Sequence, residues 1–244
     1  MLVRIKFSKH GLMKYIGHLD LMRYFQRTAR MAGLPMAYSE GFSPHPLLSF
    51  AQPLSVGLES NGEYVDMKLK DFMSTDNIRS RLHNVQAEGM GIEAVAELPE
   101  KSKKAMASVA YASYYLQFRP GRIPDADMGA ALEQFFSLEN YPVEKTTKKG
   151  SREIDLRSLT RSAVLHEGSP ERGSSFPVDN GAYLELCLSA ESGDNVKPEF
   201  FLQNVLLLSG QGPYENLASD ILVTRRELYD SDMRPLIEAG KITK

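Results

Sequence analysis

The 244-residue sequence contains a single cysteine, Cys187. One thiol cannot build a disulfide framework, a four-cysteine zinc site or the cysteine set that holds an iron–sulfur cluster. If this chain takes part in cluster chemistry, another chain must carry the cluster. No run approaches the roughly 20 apolar residues of a membrane span, and no metal-ligand motif fits the histidine spacing. An excess of either charge is also missing, because 29 Lys and Arg against 31 Asp and Glu leave a net charge of -2. That excludes a protein basic throughout, but a local basic patch can hide in a neutral total. The opening residues Met1 to Phe7 alternate charged with apolar residues. They read as a strand and not as a signal peptide, so the expected location is cytoplasmic.

What is present is an ordinary globular composition, 42% apolar and 25% charged, long enough for two domains of roughly 100 residues each. Val3, Ile5 and Phe7 have the period of two of a half-buried strand, with Arg4 and Lys6 on the other side. A helix follows from about His18 to Ala32, stopped by Gly33 and Pro35. Met36 to Ser39 and Glu63 to Lys70 read as strands, Ser74 or Thr75 caps a second helix, and Gly91 to Leu98 closes the unit. The order then recurs: a strand over Tyr111–Arg119, a helix over Asp125–Ser137, and a strand over Tyr141–Thr146 expected to pair with Ser158–His166 or Gly181–Leu188. Pro198 opens a further helix, and Ile221–Thr224 is a last strand. The pattern predicts an α+β chain of two tandem ferredoxin-like (βαββαβ) units. The expected boundaries are residues 1–100 with a Pro-rich apolar loop at 41–57, a linker at 101–109, a second unit at 110–225 and a tail at 226–244. Glu167 to Asn180, rich in Ser, Gly and Pro, reads as a mobile loop.

Charge is unevenly spread. Residues 1–58 carry +5 and residues 145–161 carry +4, leaving -11 for the remainder; such polarity suits a polyanion-binding surface on a neutral chain. Arg23, Arg27 and Arg30 share one face of the first helix, opposite its apolar stripe. They form either a phosphate-contacting ridge or an ordinary solvated face. The run Thr147-Lys148-Lys149-Gly150-Ser151-Arg152 packs three cations, two hydroxyls and a glycine between two strands. Its cations and donors suit phosphate oxygens, and a plain surface hairpin would also explain it. On the strand after the linker, Tyr111, Ser113, Tyr115, Gln117 and Arg119 share a face that resembles a base-stacking platform, although the RNP1 pattern is absent.

The segment Gly41 to Gly57 has three prolines and no charge, so its own core or a partner should cover it. Prolines on both sides of His45 restrict its backbone, and Phe42, His45 and Phe50 are the residues placed to meet a substrate or partner. His10 and His18 flank a turn into the first helix, where His18 can cap the N-terminus and Asp20 suits the dipole. His18, His10 and His45 are the alternative catalytic set, for metal-independent RNA cleavage. Cys187 lies in an apolar strand and reads as a buried, inert thiol.

The run Ile16-Gly17-His18-Leu19-Asp20-Leu21-Met22-Arg23, followed by Ala32 to Pro46 with Glu40-Gly41-Phe42-Ser43-Pro44-His45-Pro46, resembles the bacterial radical-SAM-linked domain of unknown function. Leu48-Ser49-Phe50-Ala51, Gly57 to Asp66, Thr147-Lys148-Lys149-Gly150 and Glu153-Ile154-Asp155-Leu156-Arg157 match it as well. The resemblance implies a chain encoded beside, or fused to, a radical SAM protein and an accessory role in RNA or ribosome-related modification. It supplies no catalytic residue. The duplicated arrangement is also similar to RAMP-type RNA-processing proteins, a likeness of fold that does not set function. The expectation is a non-catalytic RNA-binding accessory protein (the RNA a tRNA or rRNA) with no cofactor of its own, partnered by the radical SAM protein. Arg23, Arg27, Arg30, Lys148, Lys149 and Arg152 would contact phosphates. The alternatives are a docking partner that binds no RNA, and an endoribonuclease or RNA-modifying enzyme.

Overall fold

The structure is a computed structural model that describes every residue except 123–126, 148, 149, 211, 213 and 244. The chain is mixed α+β and divides into two compact units, Met1–Ala110 with Glu227–Lys244, and Tyr111–Arg226.

In the first unit, strand β1 (Leu2–Lys9) pairs antiparallel with both β3 (Glu59–Lys68) and β4 (Met90–Leu98), and the short β2 (Leu48–Phe50) pairs antiparallel with β3. Helix α1 (His18–Met31) follows β1, and α2 (Thr75–His83) separates β3 from β4. The element order is β-α-β-β-α-β and the strand order β4-β1-β3-β2. Val3, Ile5 and Phe7 point to the helix side with Val65 and Met67, and meet Leu21, Phe25 and Ala29 of α1 and Ile78 and Leu82 of α2. Phe7, Phe25 and Phe50 form an edge-on triad with centroids 4.7 to 6.2 Å apart, a geometry the ring quadrupole favours. Gly33, at φ +62°, ends α1, and the Leu34 N–H reaches back to the Ala29 carbonyl at 3.0 Å. Ser74 caps α2 through the Asn77 N–H.

The other side of β1 differs from the expected solvent face. Arg4 is fully buried, and Tyr64 and Asp66 beside it on β3 are buried too. The cover comes from α3 (Ala105–Ser108) and the C-terminal residues. Arg4 donates to the Leu236 and Lys103 carbonyls, and the Ala105 N–H donates to Asp66 at 2.8 Å. Lys6 pairs with Glu227 at 2.5 Å, and the Tyr64 hydroxyl donates to the same carboxylate at 2.6 Å. Burial, with the Glu227 charge behind it, pushes the Tyr64 hydroxyl far above the ordinary tyrosine range. The segment read as a linker thus contains a packed helix. In the region read as a tail, Lys241 exchanges two backbone hydrogen bonds with Glu97, and Thr243 three hydrogen bonds with Thr75.

The second unit begins with β5 (Tyr111–Phe118) and α4 (Met128–Ser137), continues through β6 (Pro142–Thr147), β7 (Gly150–Asp155), β8 (Thr160–Glu167) and β9 (Ala182–Ser189), and ends with α5 (Pro198–Leu208), α6 (Leu217–Asp220) and the first six residues of β10 (Ile221–Tyr229). Its sheet order is β10-β5-β9-β8, while β6 and β7 form a separate hairpin. Thr146 and the rest of β6 therefore pair neither with Ser158–His166 nor with Gly181–Leu188. β6 pairs instead with the nearest following strand in sequence, Gly150–Asp155, whose pairing closes the shortest loop. Leu184, Leu186 and Leu188 are fully buried, and Phe135, Phe201, Leu202 and Val205 of α4 and α5 are buried as well. Asp127 caps α4 by accepting from the Ala130 N–H at 2.9 Å; residues 125 and 126, where the helix was expected to start, lie outside the described residues. Within the segment read as a mobile loop, the Ser174 N–H donates to Gln117, the Asp179 N–H to the Phe118 carbonyl, and the Ser169 hydroxyl to Asn180.

Candidate functional site

The basic segment of the first 58 residues separates into two populations. Arg4, Lys9 and Lys14 are buried, and Lys6 is paired with Glu227. Buried cations must be matched by carboxylates or carbonyls, so these four serve the interior. Arg23, Arg27 and Arg30 are exposed on the outer face of α1, opposite Leu21, Phe25 and Ala29. Arg23 holds Asp20 at 3.2 Å, whereas Arg27 and Arg30 make no hydrogen bond or ion pair among the described residues. Arg30, in the last turn, also faces the negative end of the helix dipole.

His18 does not cap α1. The cap position is Gly17, without a side-chain bond, and the His18 ring packs edge-on against Phe50 at 5.3 Å. His10 lies beside Glu59, whose carboxylate accepts from the Gly11 N–H at 2.6 Å. The His45 ring nitrogen Nδ1 meets the Ser39 hydroxyl at 2.9 Å, and the two residues exchange two further bonds through their backbones. These bonds close the loop Glu40–Pro44 at its base and leave Phe42 fully exposed at its tip. No hydrogen bond joins any two of the three histidines among the described residues.

Phe50 departs from its expected role at a substrate or partner loop. Only 6% of it is exposed, because β2 enters the sheet and turns its ring into the Phe7–Phe25 triad.

In the second unit, the hairpin run places Thr147 and Gly150 at the turn, with the Thr147 hydroxyl on the Gly150 carbonyl and Thr146 bonded to Ser151. Lys148 and Lys149 lie outside the described residues. Arg152 is paired with Asp194 at 2.7 Å and also donates to the Gly193 carbonyl. Lys145 donates to the Asn195 carbonyl at 2.5 Å; its pKa is held below the ordinary lysine value, first by burial and then by the nearby Arg152 charge.

The β5 face is narrower than expected as a platform. Ser113 and Gln117 are buried, and Arg119 turns to the Ser219 carbonyl. Tyr115 stays partly exposed and gains aromatic neighbours from other strands. It meets Tyr183 of β9 edge-on at 5.6 Å, and Tyr183 stacks on His166 of β8 at 4.9 Å and 16°. The Arg226 guanidinium lies 5.6 Å over Tyr115. Glu185 joins the group, ion-paired to Arg226 and 3.3 Å from His166 Nε2. Tyr183 and Glu185 point away from Leu184 and Leu186, and that alternation is the signal by which the face could have been found.

A family model described as "Uncharacterized protein conserved in bacteria (DUF2344)" matches residues 3–198. The chain belongs to this family. The DUF2344 span includes the α1 ridge, the Glu40–Pro44 loop, the hairpin and the aromatic face apart from Arg226. No curated protein matches the chain. Among solved structures, a chain of "Crystal Structure of a Cbf5-Nop10-Gar1 Complex" is similar at 7% identity with a TM-score of 0.46; the match covers 94% of this chain and 50% of that one. This DUF2344 chain thus spans about half the length of the solved chain it matches. Among the described residues, no helix is long and apolar enough to cross a membrane, and no group of three or more His, Cys, Asp or Glu is placed to hold a metal ion.

Proposed function

We propose that this chain is a non-catalytic RNA-binding accessory protein that acts with a radical SAM enzyme in RNA or ribosome-related modification. The observation that carries the reading is the segregation of cations in the first unit. Four are buried or paired, and three stand exposed at helical spacing on one face of α1. Such a ridge suits a phosphate backbone. The lone, buried Cys187 is consistent with a partner carrying the cluster. On fold, we read both units as ferredoxin-like, supported by the order β-α-β-β-α-β with strands β4-β1-β3-β2 in one and β10-β5-β9-β8 in the other.

The test is RNA affinity, measured on bulk tRNA and on rRNA fragments across a salt series. The expected result is binding that weakens steeply with salt. Arg27→Glu with Arg30→Glu should then lose affinity and flatten the slope by about 1.4 to 1.8 in log–log units, since each neutralised phosphate contributes about 0.7 to 0.9. Binding that ignores salt, or ignores these substitutions, overturns the assignment of the ridge.

A second reading is favoured by Phe42. A fully exposed phenylalanine on a loop clamped by Ser39 and His45 suits an anchor for a protein partner. Co-purification with the neighbouring radical SAM protein that survives nuclease treatment, and is lost in Phe42→Ala, would support docking without RNA.

A further inference from the structure

We propose that the sheet face of the second unit built by Tyr115, His166, Tyr183 and Arg226 is a stacking site for unpaired bases of single-stranded RNA. The proposal rests on the RNA-binding reading above and deepens it, because it separates where bases are held from where phosphates are held.

The sheet has two different sides. One carries Leu184, Leu186 and Leu188, all fully buried. The other carries one aromatic ring from each of three adjacent strands, β5, β9 and β8, in register by the pairs Tyr115↔Glu185, Gln117↔Tyr183 and His166↔Tyr183. His166, Glu185 and Arg226 are 37%, 29% and 45% exposed, so the group is open to solvent. Val164, two residues before His166 on the same strand, is exposed at 47% and extends the apolar surface.

The side chains are also held in place. The near-parallel Tyr183–His166 pair fixes one ring plane, and Tyr115 abuts it edge-on. Glu185 binds Arg226 on one side and approaches His166 on the other, restraining both ends of the row. Rigid rings lose little conformational entropy when a ligand arrives. A flat ligand with π-faces is the class this surface accepts, and every nucleobase qualifies.

The charge pattern selects bases over phosphates. Arg226 is ion-paired to Glu185, so the cation nearest the rings is already compensated when a backbone oxygen approaches. Duplex RNA buries its base faces in its own stack and so gains little here. The site therefore contributes affinity for single strands that does not depend on counterion release.

The experiment uses the full chain and single-stranded oligoribonucleotides containing 2-aminopurine, whose emission is quenched on stacking, with an RNA duplex of the same sequence as control. Tyr183→Ala should weaken single-strand binding about 5- to 150-fold, the range spanned by loss of one stacked base. It should abolish the quench and leave both the salt slope and the duplex affinity unchanged. Tyr183→Phe should retain the quench, and His166→Ala, at the edge strand, provides a second variant if Tyr183→Ala melts early. Unchanged single-strand affinity and quench in folded Tyr183→Ala or His166→Ala overturns the site. If wild-type protein binds no RNA at low salt, the RNA-binding reading fails with it. If wild type binds and only Arg27→Glu with Arg30→Glu weakens it, the ridge stands and the stacking site falls.

Discussion

Arg4 and Asp66 form a two-point ion pair inside the first unit, Nε to Oδ1 at 2.7 Å and Nη2 to Oδ2 at 3.0 Å. Desolvating two charges offsets most of their attraction, so the pair is worth less than its geometry implies. Removing one partner is different, because the other charge is then buried alone. Arg4→Ala should cost about 3 to 5 kcal/mol in urea unfolding. Replacing both residues by apolar ones should cost less than Arg4→Ala alone. Some loss should remain, because Asp66 also accepts from the Ala105 N–H.

The two phenylalanines of the proline loop should behave oppositely. Phe50→Ala opens a cavity in the Phe7–Phe25 triad and should cost about 3 to 5 kcal/mol. Phe42→Ala removes a ring that touches solvent and should change stability by no more than about 0.5 kcal/mol. Equal melting shifts for the two variants would contradict the packing.

Asp155 gives a pH signature. Its carboxyl is held below the ordinary aspartate value, chiefly by the Tyr141 N–H at 2.8 Å, against the opposing effect of burial, and further by Ser158 and the Arg157 N–H. A folded pKa below the unfolded one means that the unfolded state binds more protons between the two values. The contribution is therefore fully present above about pH 4, the unfolded aspartate value, and is lost as pH falls through the folded pKa. The stability gap between wild type and Asp155→Asn in urea unfolding should be larger at pH 7 than at pH 2.5. A gap independent of pH would remove this role.

Cys187 is 6% exposed, and its thiol is pushed up to about 11, first by burial. The thiolate is the nucleophile, so iodoacetamide should leave the folded protein unmodified at pH 8 and label it rapidly in urea. Labelling at equal rates in both conditions would place the thiol at the surface.

Strands β1, β3 to β6 and β8 to β10 and helices α1, α2, α4 and α5 were legible because each carries its own period. β2, β7 and α3 were not, and Met36–Ser39, read as a strand, forms only isolated bridges through Met36 and Tyr38. The α1 ridge was legible for the same reason, since Arg23, Arg27 and Arg30 follow helical spacing. Period two marks the apolar side of β1 but does not tell solvent from a second, polar-lined interior on the other side. Arg4 and Lys6 consequently read as exposed. The pairing of β6 with β7 and the meeting of Tyr115 with Tyr183 and His166 depend on which strands become neighbours, and local pattern does not carry that information. Phe50 was misplaced because a three-residue strand is too short to show a period among prolines.

The return of Glu227–Lys244 to the first unit sets an order of events during synthesis. Arg4, Lys6 and Tyr64 leave the ribosome early, yet their partners at Glu227 and Leu236 come more than 160 residues later. While the second unit is being translated, the first exposes a charged, unfinished sheet face. Closure of that face must wait until Glu227 and Leu236 have been made, and a chain stalled before them presents the open face to a chaperone or protease.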